Sequence, residues 1–192
     1  MERFIQSMVQ ANPEQPLAEV KIRYGMALLR NEFFKLLILF LFYLCVGRSA
    51  AFLLLIGILF PVRIYSGGLH MKTNLTCFAF SFGFTFSIIF LLPNLSLPSF
   101  GNLAVCCGTL VMLSVFSPFS SPKKPIASRQ RFVFFKKMSV LFTVTGMGVV
   151  FLLYHYGEIY MAQIGQWTLF LQAIQLLLAH ILRKGAQLCS KK

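Results

Sequence analysis

The chain has 192 residues, of which 57% are hydrophobic and 22 are phenylalanine, at a mean hydropathy of +0.75. That leaves too little polar surface to cover a water-soluble globule, so lipid must be the solvent for most of it. Lys and Arg number 18 against 5 acids, a net charge of +13. The bases fall in the breaks between apolar runs, which fits the positive-inside rule and anionic headgroups and speaks against nucleic acid as a partner.

Residues 1–32 carry mixed charges and lack the compact apolar stretch of a cleavable signal peptide. Within "LAEVKIRYGMALLRNEFF", Leu17, Val20, Tyr24, Ala27 and Leu28 recur at three- and four-residue intervals with charges between them. This spacing predicts an amphipathic helix at the membrane interface, with Pro13 and Pro16 marking its start. Apolar runs follow at about 33–47, 50–62, 75–92, 99–117, 139–156 and 162–182. A crossing helix needs about 20 residues. The last four runs reach or approach that length, whereas the first two are short and separated by Gly47-Arg48-Ser49, as in a tight hairpin. The expectation is an all-α, polytopic membrane protein of about six transmembrane helices behind an N-terminal amphipathic helix. It forms one membrane-embedded domain over 1–192: an interfacial segment 1–32, a helical bundle 33–182 and a basic tail 183–192.

Charge sets the expected orientation. The 63–74 break holds Arg63 and Lys72, and the 118–138 break holds Lys123, Lys124, Arg129, Arg131, Lys136 and Lys137. The tail adds Arg183, Lys184, Lys191 and Lys192, while the alternate breaks contain a single base, Arg48. Six spans then put both termini and both basic breaks in the cytoplasm.

The reactive inventory is small. The carboxylates are Glu2, Glu14, Glu19, Glu32 and Glu158, with no aspartate, which excludes an aspartyl-type membrane protease. His70, His155 and His180 form no H-E-x-x-H motif, and no Walker-type loop occurs, so neither a metal nor another cofactor is expected. Ion-coupled transport needs ionisable groups within the spans, and only His155 and His180 come close. The five cysteines, Cys45, Cys77, Cys106, Cys107 and Cys189, are odd in number and scattered, unlike a disulfide framework. Cys45, Cys106 and Cys107 read as small apolar filler.

His70 and Cys77 remain, in "VRIYSGGLHMKTNLTCFAFSF" (Val62 to Phe82). A cysteine nucleophile needs a base and a positive environment. A continuous helix would put residues seven apart on one face. A third span starting near Thr73 or Asn74 would put Cys77 in its first turn, where the helix dipole and free N–H groups favour negative charge and an oxyanion. Arg63 and Lys72 add positive potential, and Ser66-Gly67-Gly68 can make a tight turn that admits a substrate closely. The same residues also describe a plain inter-helix turn with a solvated histidine, and spacing leaves both readings open.

The stretch Arg63-Ile64-Tyr65-Ser66-Gly67-Gly68-Leu69-His70 with Cys77 resembles the signature of the accessory gene regulator B (AgrB) family, bacterial membrane endopeptidases that mature quorum-sensing peptides. "YGMALLRNEFFKL" (24–36) and "SPFSSPKKPIASRQRFVFFKKMS" (117–139) resemble the family's N-terminal segment and basic loop, so the likeness covers nearly the whole chain. Met71 departs from the small residue expected there. The resemblance implies His70 as general base and Cys77 as nucleophile of a thiol protease. It would cleave a propeptide through an acyl-enzyme thioester and support cyclisation to a thiolactone or lactone autoinducing peptide. It implies a substrate with an amphipathic N-terminal helix and an acidic C-terminal tail, a homodimer, and a site on the cytoplasmic side of a bacterial cell membrane. Arg63, Ser66, Gly67, Gly68 and Lys72 are then positioning residues, and Lys123, Lys124, Arg129 and Arg131 partners for the acidic tail. Glu19, Glu32, Asn74 or a backbone carbonyl are the candidates to orient His70. The competing readings are a non-enzymatic peptide exporter or assembly subunit, and a transporter using His155 and His180.

Overall fold

Every element in the computed structural model is a helix, over the described residues 18–68, 73–95, 98–119 and 128–189. In chain order these are α1 (Ala18–Cys45), α2 (Ser49–Ser66), α3 (Asn74–Phe86), α4 (Ser99–Phe116), α5 (Arg129–His155) and α6 (Ile159–Cys189). The chain divides into two units, Met1–Gly47 and Arg48–Lys192. The all-α membrane architecture follows from composition: in hydrocarbon, a helix satisfies every backbone group internally.

In the first unit, α1 runs unbroken across the expected boundary at 32/33, so the amphipathic segment and the first apolar run are one helix. Glu32 pairs with Lys35 one turn on, which occupies that carboxylate locally. Gly47 (φ 72°) ends the unit in a conformation open to glycine.

In the second unit, α2 buries Ala51, Phe52, Leu55, Ile58, Leu59, Val62 and Ser66, a stripe at three- and four-residue steps. This helix continues four residues past the expected end of its apolar run. Its 18 residues rise about 27 Å, enough for most of a bilayer core. Among the described residues, four helical segments are long and apolar enough to cross: Ser49–Ser66, Asn74–Asn94, Arg129–His155 and Ile159–Arg183. The fourth run lies in the shorter apolar segment Phe100–Phe116, and the first shares its helix with Arg30, Glu32 and Lys35.

α6 is the centre of this unit and packs against α2, α4 and α5. Ile58 and Val62 of α2, Leu113 of α4, and Leu169, Ala173 and Leu176 of α6 form its core. Where α2, α5 and α6 cross, glycine is a packing requirement. A Cβ on Gly165 would lie 2.7 Å from Val150 Cγ2 and 3.1 Å from Ile58 Cδ1, and one on Gly146 would lie 3.2 Å from Ile58 Cγ2. Small residues let apolar helices approach where no water is expelled to drive them together.

Two boundaries move. The expected basic loop 118–138 is helical from Arg129, because Phe134, Phe135 and Phe142 of α5 pack around Tyr65 of α2. The expected tail likewise continues α6 as far as Cys189.

α3 does not stay an α-helix to its end. Ser87–Leu91 form a π turn and Leu92–Asn94 a 3-10 turn containing Pro93. Tyr160 at the start of α6 donates its hydroxyl to Ile89 O at 3.0 Å, satisfying a carbonyl in the irregular turn. Arg48, the one base on the otherwise base-poor side, stacks 5.0 Å over the Tyr160 ring.

Candidate functional site

The Ser66–Gly68 turn is held from three sides. α2 ends when Gly67 takes φ 80°, its N–H donating to Arg63 O at 3.0 Å. Phe119, just past α4, donates its N–H to Ser66 O at 2.8 Å. From α6, Gln172 Nε2 donates to Ser66 Oγ at 3.1 Å and to Gly67 O at 2.9 Å. A Cβ on Gly67 would meet Phe119 O at 2.6 Å, so both φ and close backbone approach demand glycine here. Ser66 is fully buried and its Oγ donates to Gly67 O, which makes it a turn residue.

Around the turn lies a belt of rings and cations. His180 packs against Phe116 and Phe119, with centroids at 5.4 and 5.0 Å, and its Nδ1 lies 3.1 Å from Leu176 O. Arg183 sits over Phe119 at 5.9 Å. The Arg63 guanidinium and the Gln175 carboxamide border Gly68: their Nε and Oε1 lie 3.5 and 3.7 Å from where its Cβ would be.

Cys77 occupies different ground. Thr73 is extended (φ −118°, ψ 154°) and caps α3, its Oγ1 accepting from Thr76 N–H at 3.2 Å. Thr76 Oγ1 donates to Thr73 O at 3.0 Å, and Cys77 N–H donates to the same carbonyl at 3.1 Å. Cys77 thus closes the first turn, and the Asn74 and Leu75 N–H groups have no partner within the helix. The thiol is half-buried, whereas Thr73 to Thr76 are exposed and Leu75 reaches 77%. Between Asn74 and Phe86 only Thr85 is buried.

Of the two arrangements the sequence left open, the helix that starts at Asn74 with Thr73 as its cap is the one observed. α2 stops at Ser66, and Thr73 is extended ahead of α3. His70, Lys72, Lys123 and Lys124 lie outside the described residues. Arg129 and Arg131 stand exposed in the first turn of α5. Tyr160 meets Ile89 near the end of α3, so the Cys77 turn points toward the bundle end that holds Ser66–Gly68 and Arg183. His155 ends α5 while His180 lies near the end of α6, at opposite ends of the unit.

Two residues that sequence reasoning passed over are prominent. Gln172 and Gln175 are fully or nearly fully buried in an apolar span. Their signal was available: amides three apart in "LFLQAIQLLLAH" share one helix face, and polar groups inside a span are costly unless used.

The model of the family described as Accessory gene regulator B matches residues 1–176 of this chain. The Accessory gene regulator protein B of Staphylococcus saprophyticus subsp. saprophyticus is 23% identical over 131 residues, covering 68% of this chain and 69% of that protein. No solved structure matches.

Proposed function

From the premise that this chain belongs to the accessory gene regulator B family, we propose that it is a membrane-embedded cysteine endopeptidase with Cys77 as nucleophile and His70 as general base. Membership supports a role in processing a quorum-sensing peptide; the residues and the chemistry are our reading. The observation that carries it is the setting of Cys77, a half-buried thiol in the capped first turn of a span, beside N–H groups that the helix leaves unpaired.

His70 takes the Cys77 proton, and the thiolate adds to a backbone carbonyl carbon of the propeptide. In this reading the Asn74 and Leu75 N–H groups, at the positive end of the helix dipole, receive the developing oxyanion. The intermediate collapses to a thioester on Cys77. The C–N bond breaks, and His70 returns the proton to the leaving amine of the C-terminal fragment. A thiol or hydroxyl within the retained peptide then attacks the thioester, closes a thiolactone or lactone ring and frees Cys77. Exchange of one thioester for another is near neutral, whereas making a thioester from an amide is uphill, so the enzyme must keep water from the acyl intermediate and rely on product removal.

The reading places this end of the bundle in the cytoplasm, with Arg63, Arg129, Arg131 and Arg183 on that side. Exposed Arg129 and Arg131, with Lys123 and Lys124, would attract an acidic C-terminal tail on the propeptide.

The test is co-expression with an epitope-tagged propeptide bearing an amphipathic N-terminal segment, an internal Cys or Ser and an acidic tail. Cys77→Ala and His70→Ala should each abolish cleavage with membrane accumulation unchanged. Cleavage by either variant would overturn the assignment and favour an exporter or assembly subunit. Alanine at Cys45, Cys106, Cys107 and Cys189 should leave cleavage intact.

A further inference from the structure

The buried polar atoms left without a hydrogen bond are, among the described residues, Ser117 Oγ, Ser139 Oγ, Gln172 Oε1, and both Gln175 Nε2 and Gln175 Oε1. They lie toward the bundle end that holds the Ser66–Gly68 turn. Ser117 follows α4 and precedes the Phe119 clamp, Ser139 lies between the Phe135 and Phe142 rings that meet Tyr65, and the glutamines are on the α6 face that meets the turn. Native structures leave few such groups, because each loses its water without compensation.

Gln175 is the extreme case, 3% exposed with neither carboxamide atom bonded. Gln172, one turn earlier, shows what an internal role looks like: its Nε2 makes two bonds to the turn and only its Oε1 is spare. Gln175 makes none, yet its Oε1 faces Gly68, 3.7 Å from where a Cβ would stand and next to the Arg63 guanidinium, at a turn with no side chain of its own to cover the amide. A carboxamide offers an acceptor and a donor side by side, the complement of the N–H and C=O that one residue of an extended chain presents on one edge.

We propose that Gln175 binds the main chain of the peptide substrate alongside Gly68, with Gln172 Oε1 as a further acceptor. This rests on the endopeptidase reading and adds a binding residue to it. Recognition through the main chain tolerates different side chains near the cleaved bond, and it fixes the carbonyl direction relative to the turn.

Gln175→Leu tests this, since it keeps the volume and removes both polar atoms. In a Cys77→Ala background, which holds the tagged propeptide uncleaved, chemical cross-linking reads substrate capture. Loss of two hydrogen bonds should lower capture about tenfold or more. Membrane accumulation should hold and the unfolding temperature should stay or rise, because an unpaired buried amide is removed. With Cys77 present, cleavage should fall by the same factor while the rate of Cys77 alkylation by iodoacetamide is unchanged. Gln175→Glu, which keeps the shape but as a carboxylate offers acceptors only, should also capture less at a pH where it is ionised. Equal capture by the parent and Gln175→Leu, as expected if the amide holds only water, would overturn the proposal. Should Gln175→Leu not accumulate, equal capture by Gln175→Glu would do the same. Failure of the underlying reading is distinct: the Cys77→Ala enzyme would itself still cleave.

Discussion

The Ser66–Gly68 turn and the first turn of α3 flank residues 69–72 and are held in opposite ways. Ser66 is fully buried, clamped by Gln172 and Phe119, and lies on the stripe that α2 packs into the core. The Cys77 turn is held by its own cap, with exposed neighbours and no buried residue before Thr85. α3 is fastened to α6 through its π and 3-10 turns at the far end. In the reading proposed here, the turn is a rigid reference and the nucleophile sits on a helix end with room for a peptide. Substitutions in the turn should therefore act through folding and geometry, whereas those at the α3 end should act on chemistry with stability preserved.

The largest contrast is at Cys77. Cys77→Ala should lower propeptide cleavage by about 10³-fold or more while leaving the unfolding temperature within a degree or two, as measured by a co-expression assay and thermal shift in detergent. A large stability loss would mean that the α3 end is packed after all. Gly67→Ala should do the reverse. Its Cβ would meet Phe119 O at 2.6 Å at a φ of 80°, so stability should drop by about 1–3 kcal/mol, with cleavage falling with it. An unchanged unfolding temperature would refute the clamp.

Gln172→Leu removes two hydrogen bonds to the turn and should cost about 1–2 kcal/mol, offset in part by removal of the unpaired Oε1. Its cleavage should fall more than its stability, because Gly67 loses its tether. Thr73→Ala should cost about 1 kcal/mol of local helix stability by loss of the cap. Hydrogen exchange at residues 74–77 should rise while exchange in α6 stays unchanged. The smallest effect should come from Arg129→Gln with Arg131→Gln. Both side chains are exposed and screened, so capture of an acidic-tailed propeptide should weaken a few-fold at low salt and converge with the parent at high salt.

Much of this was legible in the sequence, and the gaps have definable causes. Apolar runs long enough for lipid mark helices, and each expected run overlaps one, the third continuing through the π and 3-10 turns. Their ends were harder to place, because helix continuation past a charged residue depends on what the helix packs against. α2 reaches Ser66 since Val62 and Ser66 face the core, and α5 begins at Arg129 since its phenylalanines surround Tyr65. Cys77 in a first turn was readable from Thr73, whose hydroxyl is a natural cap. The spacing of His70 and Cys77 could not be read the same way, since a helical period holds only within one element and Cys77 lies in the first turn of a helix that starts at Asn74.

By itself, the sequence determined the solvent, the helical class, the family and a short list of reactive groups, because those depend on composition and local pattern. Tertiary structure alone decided that Gly67 must be glycine, that Arg48 belongs with Tyr160, and that two glutamines in an apolar span meet the Ser66–Gly68 turn. Each of these depends on atoms from segments far apart in the chain, brought within a few ångströms by packing that no local pattern encodes.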